Sequence, residues 1–525
     1  MTGVAVVAPR GPLRRRPPVV LVLGALVAVV VAVLPLVYLV DRAGSLGWSA
    51  AVGELAQRRT VALLWRSVVL AGTVTVLASV IGVAAAWLVV RSDVPGRRLW
   101  SVLVVLPLAM PSYAAAYAWL SWRPAMAPFP GTVLVLTLVA YPYVYLPVAA
   151  ALRRLDPAQE EVARSLGQHP ARVAVTLTLR QVRPAVASGA LLVALYALSD
   201  FGAPALFRYE VFTFVIYGAY NAGFDPTRAA VLGLALVFVA ALVVVAEAWV
   251  RGRPAYARIG SGAPRRQYPV ALRGGRPIAV AFLVAVFALG IGFPMWRFLY
   301  WTREALDRTV PWGEVADALG HTLWWSLLAA AATLVLAIPV GVLVARYRSR
   351  LTAGLERSTY VAHALPGIVV AIALVYVGVT VLRPVYQEVP LLILAYVVLF
   401  LSLAIGTVRT GVEQTPVAQE EVARSLGRRP GQVLARVTLP QAAPALAGGA
   451  ALVFVTAMKE LPATLLLRPT GLDTLATRLW TFTSESNYAA GAPYVVALVC
   501  FAAIPTALLS RFVVDAGARL EEHRD

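Results

Sequence analysis

The sequence predicts an all-α polytopic membrane protein with twelve transmembrane helices. They form two parallel six-helix repeats, with both termini on the cytoplasmic side (N-in/C-in). Three observations predict this. Of 525 residues, 60% are hydrophobic and only 14% charged, where a soluble chain carries about a quarter charged residues. Long stretches lack Asp, Glu, Lys and Arg altogether, and one nine-residue block occurs twice. This composition excludes a soluble enzyme, a disordered chain and a nucleic-acid-binding domain. The net charge of +20 does not reopen that last class. The basic residues stand between apolar runs rather than in one patch, as in polytopic membrane proteins.

Eleven charge-free runs are long enough to cross about 30 Å of hydrocarbon at 1.5 Å per residue. In order they run from Arg16 to Asp41, Arg66 to Arg91, Arg98 to Arg123, Arg123 to Arg153, Arg228 to Glu247 and Arg276 to Arg297. They continue from Asp317 to Arg346, Arg357 to Arg383, Glu388 to Arg409, Arg436 to Lys459 and Glu485 to Arg511. A twelfth begins after Arg183 and is interrupted by Asp200. The first run is too long, and lacks a small-residue cleavage site, for a removed signal peptide. Arg10, Arg14, Arg15 and Arg16 before it place the N-terminus inside. Alternating from there assigns about 32 basic residues to cytoplasmic segments and about 12 to outer loops, the expected bias.

The block Gln159 to Gly167 recurs unchanged at Gln419 to Gly427. Pro170, Gln181, Pro184 and Gly189 recur 260 positions on as Pro430, Gln441, Pro444 and Gly449. Upstream, Leu64-Trp65 and Leu106-Pro107 match Leu323-Trp324 and Leu365-Pro366 at an offset of 259. Residues 1–255 and 277–525 therefore form two permease-like halves joined by an Arg-rich cytoplasmic linker at 256–276. An even number of spans per half makes the repeat parallel and places a pathway between the halves.

Of 46 basic residues, only Lys459 is lysine, and it lies in Met-Lys-Glu. A phosphate-binding Walker A loop needs Gly-Lys-Ser/Thr, so this chain contains none. Cys500 alone excludes a disulfide framework, and His169, His321, His363 and His523 have no metal-ligand spacing.

In each half the block falls in the cytoplasmic loop after the fourth span, within about 157–175 and 417–435. Glu160 and Glu161 favour a helix N-terminus and Gly167 closes it about two turns later. Val162 and Leu166, like Val422 and Leu426, form an apolar stripe four residues apart. A helix lying on lipid would carry such a stripe. Identity at nine consecutive positions points instead to a shared protein partner.

At these residues the sequence resembles the permease subunits of binding-protein-dependent (type I) ABC importers. Their loop pattern of Glu-Ala-Ala, three residues and Gly is filled by Glu161-Val162-Ala163 to Gly167 and by Glu421-Val422-Ala423 to Gly427, with Val in place of the first Ala. Leu106 to Leu120, Ala197 to Gly202, Lys459 to Leu465 and Leu467 to Pro469 are similar to the fused ferric-iron-type branch, related to thiamine and aminoethylphosphonate permeases. The resemblance implies a multi-pass subunit of the cell (cytoplasmic, inner) membrane that forms a translocation pathway and catalyses nothing. Its implied partners are two copies of a cytoplasmic ABC ATPase, an extracytoplasmic substrate-binding protein and the lipid bilayer, with no nucleic acid. ATP and magnesium would sit on the ATPase, leaving no cofactor, catalytic or metal residue here. Glu160, Glu161, Ala163, Gly167, Glu420, Glu421, Ala423 and Gly427 become the candidate ATPase-coupling residues. Ferric iron is the leading substrate, with thiamine or a phosphonate as alternatives. A proton- or sodium-coupled secondary transporter is the rival of another class, and it needs no repeated docking helix.

The offset of 260 sets Asp200 opposite Glu460, and each lies about 17 Å of helix past Gly189 or Gly449. A charge at that depth costs on the order of 3 kcal/mol to insert and needs a partner or a wet cavity. Asp200, Lys459, Glu460, Tyr113 and Tyr117 are the candidate pathway residues. Two readings fit the carboxylates: oxygen ligands for a cationic substrate, or acceptors for backbone freed by Gly202, Pro204 and Pro462.

Overall fold

A computed structural model of the chain describes residues 17–155, 158–221, 223, 225–251, 269–306, 310–347, 349–362 and 365–522. Within these the regular structure is helical, apart from one isolated β-bridge between Ser92 and Val270. A bilayer leaves no water for free backbone groups, so helices are the solution for apolar runs of this length. Among the described residues, ten helices are long and apolar enough to cross it. The N-terminal arginines and the linker up to residue 268 lie outside the described residues.

The third segment of each half departs from a straight span. Arg97–Ala109 and Ser112–Trp122 meet at 88°, with Pro111 as the N-cap of the second piece. In the other half Gly367–Thr380 has only 14 residues, with Pro366 as its N-cap. Proline lacks the N–H that would carry a helix through, and it pushes the residue before it toward extended backbone. The runs Arg98 to Arg123 and Arg357 to Arg383 are therefore apolar throughout yet broken.

By role, Pro111 corresponds to Pro366, 255 residues apart, and not Pro107 to Pro366. Pro107 lies instead inside the short 3-10 turn Leu106–Ala109. The difference of four residues is about one helical turn, so a slip of that size leaves apolar side chains on the same face.

The apolar run that begins at Arg276 does not stop at Arg297. Helix continues to Leu306 with Arg297 buried. Its Nη2 donates to the Ser121 carbonyl at 2.9 Å. The guanidinium also lies 5.0–5.6 Å from the ring centres of Trp296, Tyr300 and Trp301. Carbonyl and aromatic faces replace the hydration that an arginine there would lose.

The first helix of each half packs on the opposite half. Val19–Ser45 lies against Trp312–Arg346, Arg350–Ala362 and Gly367–Thr380. Phe293–Leu306 lies against Ser112–Trp122 as well as Tyr488–Glu522. The halves of the sequence are thus not separate bodies. Within a half, small residues allow close crossing. A Cβ on Gly189 would stand 2.7 Å from the Val144 Cα and 2.9 Å from the Tyr143 carbonyl.

Where the chain enters the second half it is fastened to the first. Val270 N–H donates to the Arg91 carbonyl at 2.7 Å, and Asp93 accepts from Leu272 N–H at 2.9 Å and Arg276 Nη2 at 2.5 Å. The Arg276 hydrogen bond, then that of Leu272, holds the Asp93 carboxyl below its ordinary range.

Two outcomes follow. Gly189→Ala meets backbone and is expected to destabilise the protein by about 1–3 kcal/mol, read as a lower melting temperature in detergent. Gly448→Ala, which meets nothing within 4 Å, serves as the unchanged control. A lowered carboxyl pKa contributes stability above the unfolded value of about 4, lost as pH falls through the folded value. Proteolysis at the 269–276 attachment is therefore constant from about pH 7 to about pH 5 and faster only in stronger acid. Asp93→Asn makes it fast at neutral pH.

Candidate functional site

Each half ends a long span in a buried arginine. Arg91 closes Arg58–Arg91, and Arg346 closes Trp312–Arg346. Arg91 forms an ion pair with Glu160. Arg346 donates to Glu420 Oε1 from Nε at 3.0 Å and from Nη2 at 2.8 Å. Nη2 of Arg346 also donates to the Thr415 carbonyl at 3.0 Å. The hydroxyls of Thr178 and Thr438 donate to the same glutamates at 2.8 and 3.0 Å. Arg164 and Arg424, one turn along, reach Oε2 of these glutamates at 3.1 and 3.2 Å, in Glu160 the oxygen that Arg91 also meets.

Both threonines end π-helical turns, Ala174–Thr178 and Leu434–Thr438. The extra residue in such a turn re-aims the side chains after it. Each carboxylate is therefore met on both oxygens, the condition under which a buried ion pair holds.

On this base stand two short helices, Ala158–Ser165 and Val417–Ser425. Gly167 and Gly427 both adopt φ +80°, the left-handed turn that glycine makes without strain. The N–H of each glycine returns to the carbonyl three residues back at 2.9 Å. The N–H after each returns five residues back at 3.1 Å, which completes a Schellman stop. The apolar stripe faces outward. Val162 and Val422 are 59% and 58% exposed, and Leu166 and Leu426 are both 76% exposed. Lipid or protein must cover such a stripe.

The structure divides the residues that sequence grouped together. Glu161 and Glu421 lie on the exposed side, and Ala163 and Ala423 are half-buried. Glu160 and Glu420, 5% and 3% exposed, point inward and fasten the helix rather than face a partner. Arg91, Arg346, Thr178 and Thr438 were missed. The arginines read as charges bounding apolar runs, and nothing local marks the threonines.

Inside the membrane, Asp200 accepts from Ser112 Oγ at 2.5 Å and from Ala203 N–H at 3.0 Å, where Gly202–Phe207 begins. Glu460 accepts from the N–H groups of Ala463 and Thr464, both at 3.0 Å, and from Thr464 Oγ1 at 2.9 Å, where Pro462–Leu467 begins. Each carboxylate thus occupies donors that a helix start leaves unpaired.

Three contacts near this level join the halves. Lys459 Nζ donates to the Leu108 carbonyl, Tyr113 donates to the Lys459 carbonyl at 3.4 Å, and Tyr117 donates to the Tyr488 carbonyl. Tyr113 and Tyr117 are both buried.

The chain belongs to the family described as binding-protein-dependent transport system inner membrane component, which it matches twice, over residues 78–252 and 337–519. It is a multi-pass protein of the cell membrane. It is 35% identical over 501 residues to an Fe(3+)-transport system permease protein of Haemophilus influenzae, covering 95% of this chain and 99% of that one. A probable ABC transporter permease protein of Sinorhizobium fredii is 25% identical over 471 residues, 80% of this chain and 82% of its own. A sulfate transport system permease protein of Escherichia coli is 26% identical over 196 residues, 34% of this chain and 67% of its own.

Removing one member of a buried pair costs up to about 3–5 kcal/mol, and without Arg91 the Glu160 carboxylate keeps only Thr178 and the more exposed Arg164. Arg91→Met alone is therefore expected to lower the melting temperature and to expose residues 158–168 to protease. Arg91→Met with Glu160→Leu recovers most of the loss. Wild-type melting in the single variant would show that the pair does not hold the helix.

Proposed function

We propose that the chain is the transmembrane subunit of an ATP-driven ABC importer for ferric iron. In this reading all twelve apolar segments lie in the membrane and both termini are cytoplasmic. The carrying observation is the matched pair of helices at Ala158–Ser165 and Val417–Ser425, each rigidly based and each presenting the same valine and leucine at the same exposure. Two like surfaces suit two copies of one partner, here a cytoplasmic ATPase. This chain has no Gly-Lys-Ser/Thr sequence with which to bind ATP itself.

Force applied to Leu166 or Leu426 passes through Glu160 or Glu420 into Arg91 or Arg346, and so into the end of a membrane-spanning helix. Closure of an ATPase dimer draws the two helices together and turns one half against the other. The nucleotide then favours whichever arrangement its bound form fits better. The pathway runs along the boundary between halves, and opening it parts Lys459 from Leu108, Tyr113 from Lys459 and Tyr117 from Tyr488. An extracytoplasmic binding protein delivers the substrate. A rocking of two halves needs no tight site within the membrane, so Asp200 and Glu460 act here as caps that hold the helix breaks.

Ferric iron is favoured over an oxyanion by coverage. The iron-transport relative aligns along nearly the whole chain, and the sulfate relative along about a third.

Leu166→Asp with Leu426→Asp is expected to abolish co-purification of the ATPase and iron uptake while leaving the melting temperature unchanged. Retained attachment and uptake would remove the helices from coupling. Asn caps a helix about as well as Asp. Asp200→Asn with Glu460→Gln is therefore expected to preserve import, and the double alanine variant to lose it. Import lost in the amide pair would place the negative charge itself in the pathway.

A further inference from the structure

Lys459 is the one lysine among 46 basic residues. It follows directly on the end of Leu439–Met458, and its ammonium reaches from the second half to the Leu108 carbonyl of the first. Leu108 lies in the short turn Leu106–Ala109, just before the 88° break at Pro111. Both residues are half-buried, so the contact is not sealed in the core. An ammonium carries three donors. Among the described residues the Leu108 carbonyl is its one hydrogen-bonding partner, and no carboxylate pairs with it. Glu460, next along the chain, gives its oxygens to Ala463 and Thr464, and Asp200 accepts from Ser112 and Ala203. Lys459 thus places a cation at the junction of the halves with both nearby carboxylates already committed elsewhere.

The fold does not require that charge. At the offset of 260 Ser199 stands in its place, and Asp200 and Gly202–Phe207 follow it as Glu460 and Pro462–Leu467 follow Lys459. The first half therefore builds the same break and the same cap after a neutral residue. A cation at this depth persists where it faces protein partners or a water-filled cavity. The buried arginines meet the first condition. Arg91 and Arg346 pair with carboxylates, and Arg297 has a carbonyl and three aromatic rings. Lys459 has one carbonyl, and the opposite half supplies it.

When the halves part, that carbonyl leaves with the first half, and the ammonium faces the opened pathway. Charge of one sign between low-dielectric walls concentrates ions of the opposite sign and turns away its own. A bare ferric ion meets repulsion there. Iron enclosed by carboxylate or phosphate oxygens, with a net negative charge, is drawn in. Its outer oxygens can accept the donor that Leu108 released, as a charge-assisted hydrogen bond. Among the described residues no three His, Cys, Asp or Glu side chains come together to take over the ligands of the iron.

We propose, resting on the importer reading above, that Lys459 selects the charge of what this pathway accepts. Iron crosses as an anionic complex with oxyanion ligands, and the ammonium exchanges the Leu108 carbonyl for an oxygen of that complex. The ligands travel with the metal, and Lys459 is the residue that distinguishes the complex from the bare ion.

The test uses the full chain with its ATPase and binding protein in proteoliposomes. The binding protein is loaded with radiolabelled ferric iron and either radiolabelled citrate or radiolabelled phosphate, in a buffer free of other iron-binding anions. Wild type is expected to bring one of the two anions in with the iron, in fixed ratio and only with ATP. Citrate entry assigns the ligand to carboxylate chemistry, and phosphate entry to phosphate chemistry. Lys459→Gln, which can still donate to Leu108, is expected to lower iron uptake about tenfold at an unchanged melting temperature. Lys459→Arg keeps the charge and is expected to keep the uptake. Iron entering without either anion, or uptake by Lys459→Gln equal to that of wild type, would overturn the proposal and leave the importer reading standing. No iron uptake by wild type would instead defeat the importer reading. Co-entry is measured on the unaltered chain, so it decides the matter should Lys459→Gln misfold.

Discussion

Two buried ion pairs, Arg91 with Glu160 and Arg346 with Glu420, fasten each exposed helix to the end of the span before it. Charged groups out of water are tolerated only when every strong donor and acceptor is met. Here a threonine from a π-helical turn and an arginine one turn along complete each carboxylate. That requirement fixes where the helix sits, which way it faces and which residues remain for a partner. It also makes the helix a stiff connection rather than a loop.

The same accounting explains the interior of the membrane. Proline breaks the third segment of each half, and the short helices Gly202–Phe207 and Pro462–Leu467 that follow the fifth spans begin with donors that need acceptors. Asp200 and Glu460 supply them at equivalent places, and Arg297 finds a carbonyl and three aromatic faces. Polar groups that hydropathy counts as anomalies thus become the fixed points about which the halves are arranged. The contacts between halves at Lys459, Tyr113 and Tyr117 lie beside these breaks, where irregular backbone offers carbonyls to bond. The exchange of first helices joins the halves along their flanks.

Much of this was legible in the sequence. A charge-free run longer than a bilayer is thick has few alternatives to a span, so ten long helices among the described residues stand where apolar runs predict them. The repeated block marked the two helices, their glycine stops and their outward stripe, because these depend on residues within one or two turns of each other. The break at Pro111 was less legible, since a proline inside an apolar run can kink or sever a helix, and the packing around it decides. The offset between halves was misread at Pro107 by one turn, the slip that helical periodicity conceals.

By itself the sequence determined the all-helical membrane class, the duplication and the place of the two repeated short helices, all consequences of local hydrophobicity and short-range pattern. Only the tertiary structure decided that Glu160 faces inward while Glu161 faces out, that Arg91 and Arg346 are anchors, and that first helices cross to the opposite half. The reason is physical. Each anchor pairs with a glutamate 69 or 74 residues away. A charge at the end of an apolar run reads the same whether water or a distant carboxylate will satisfy it.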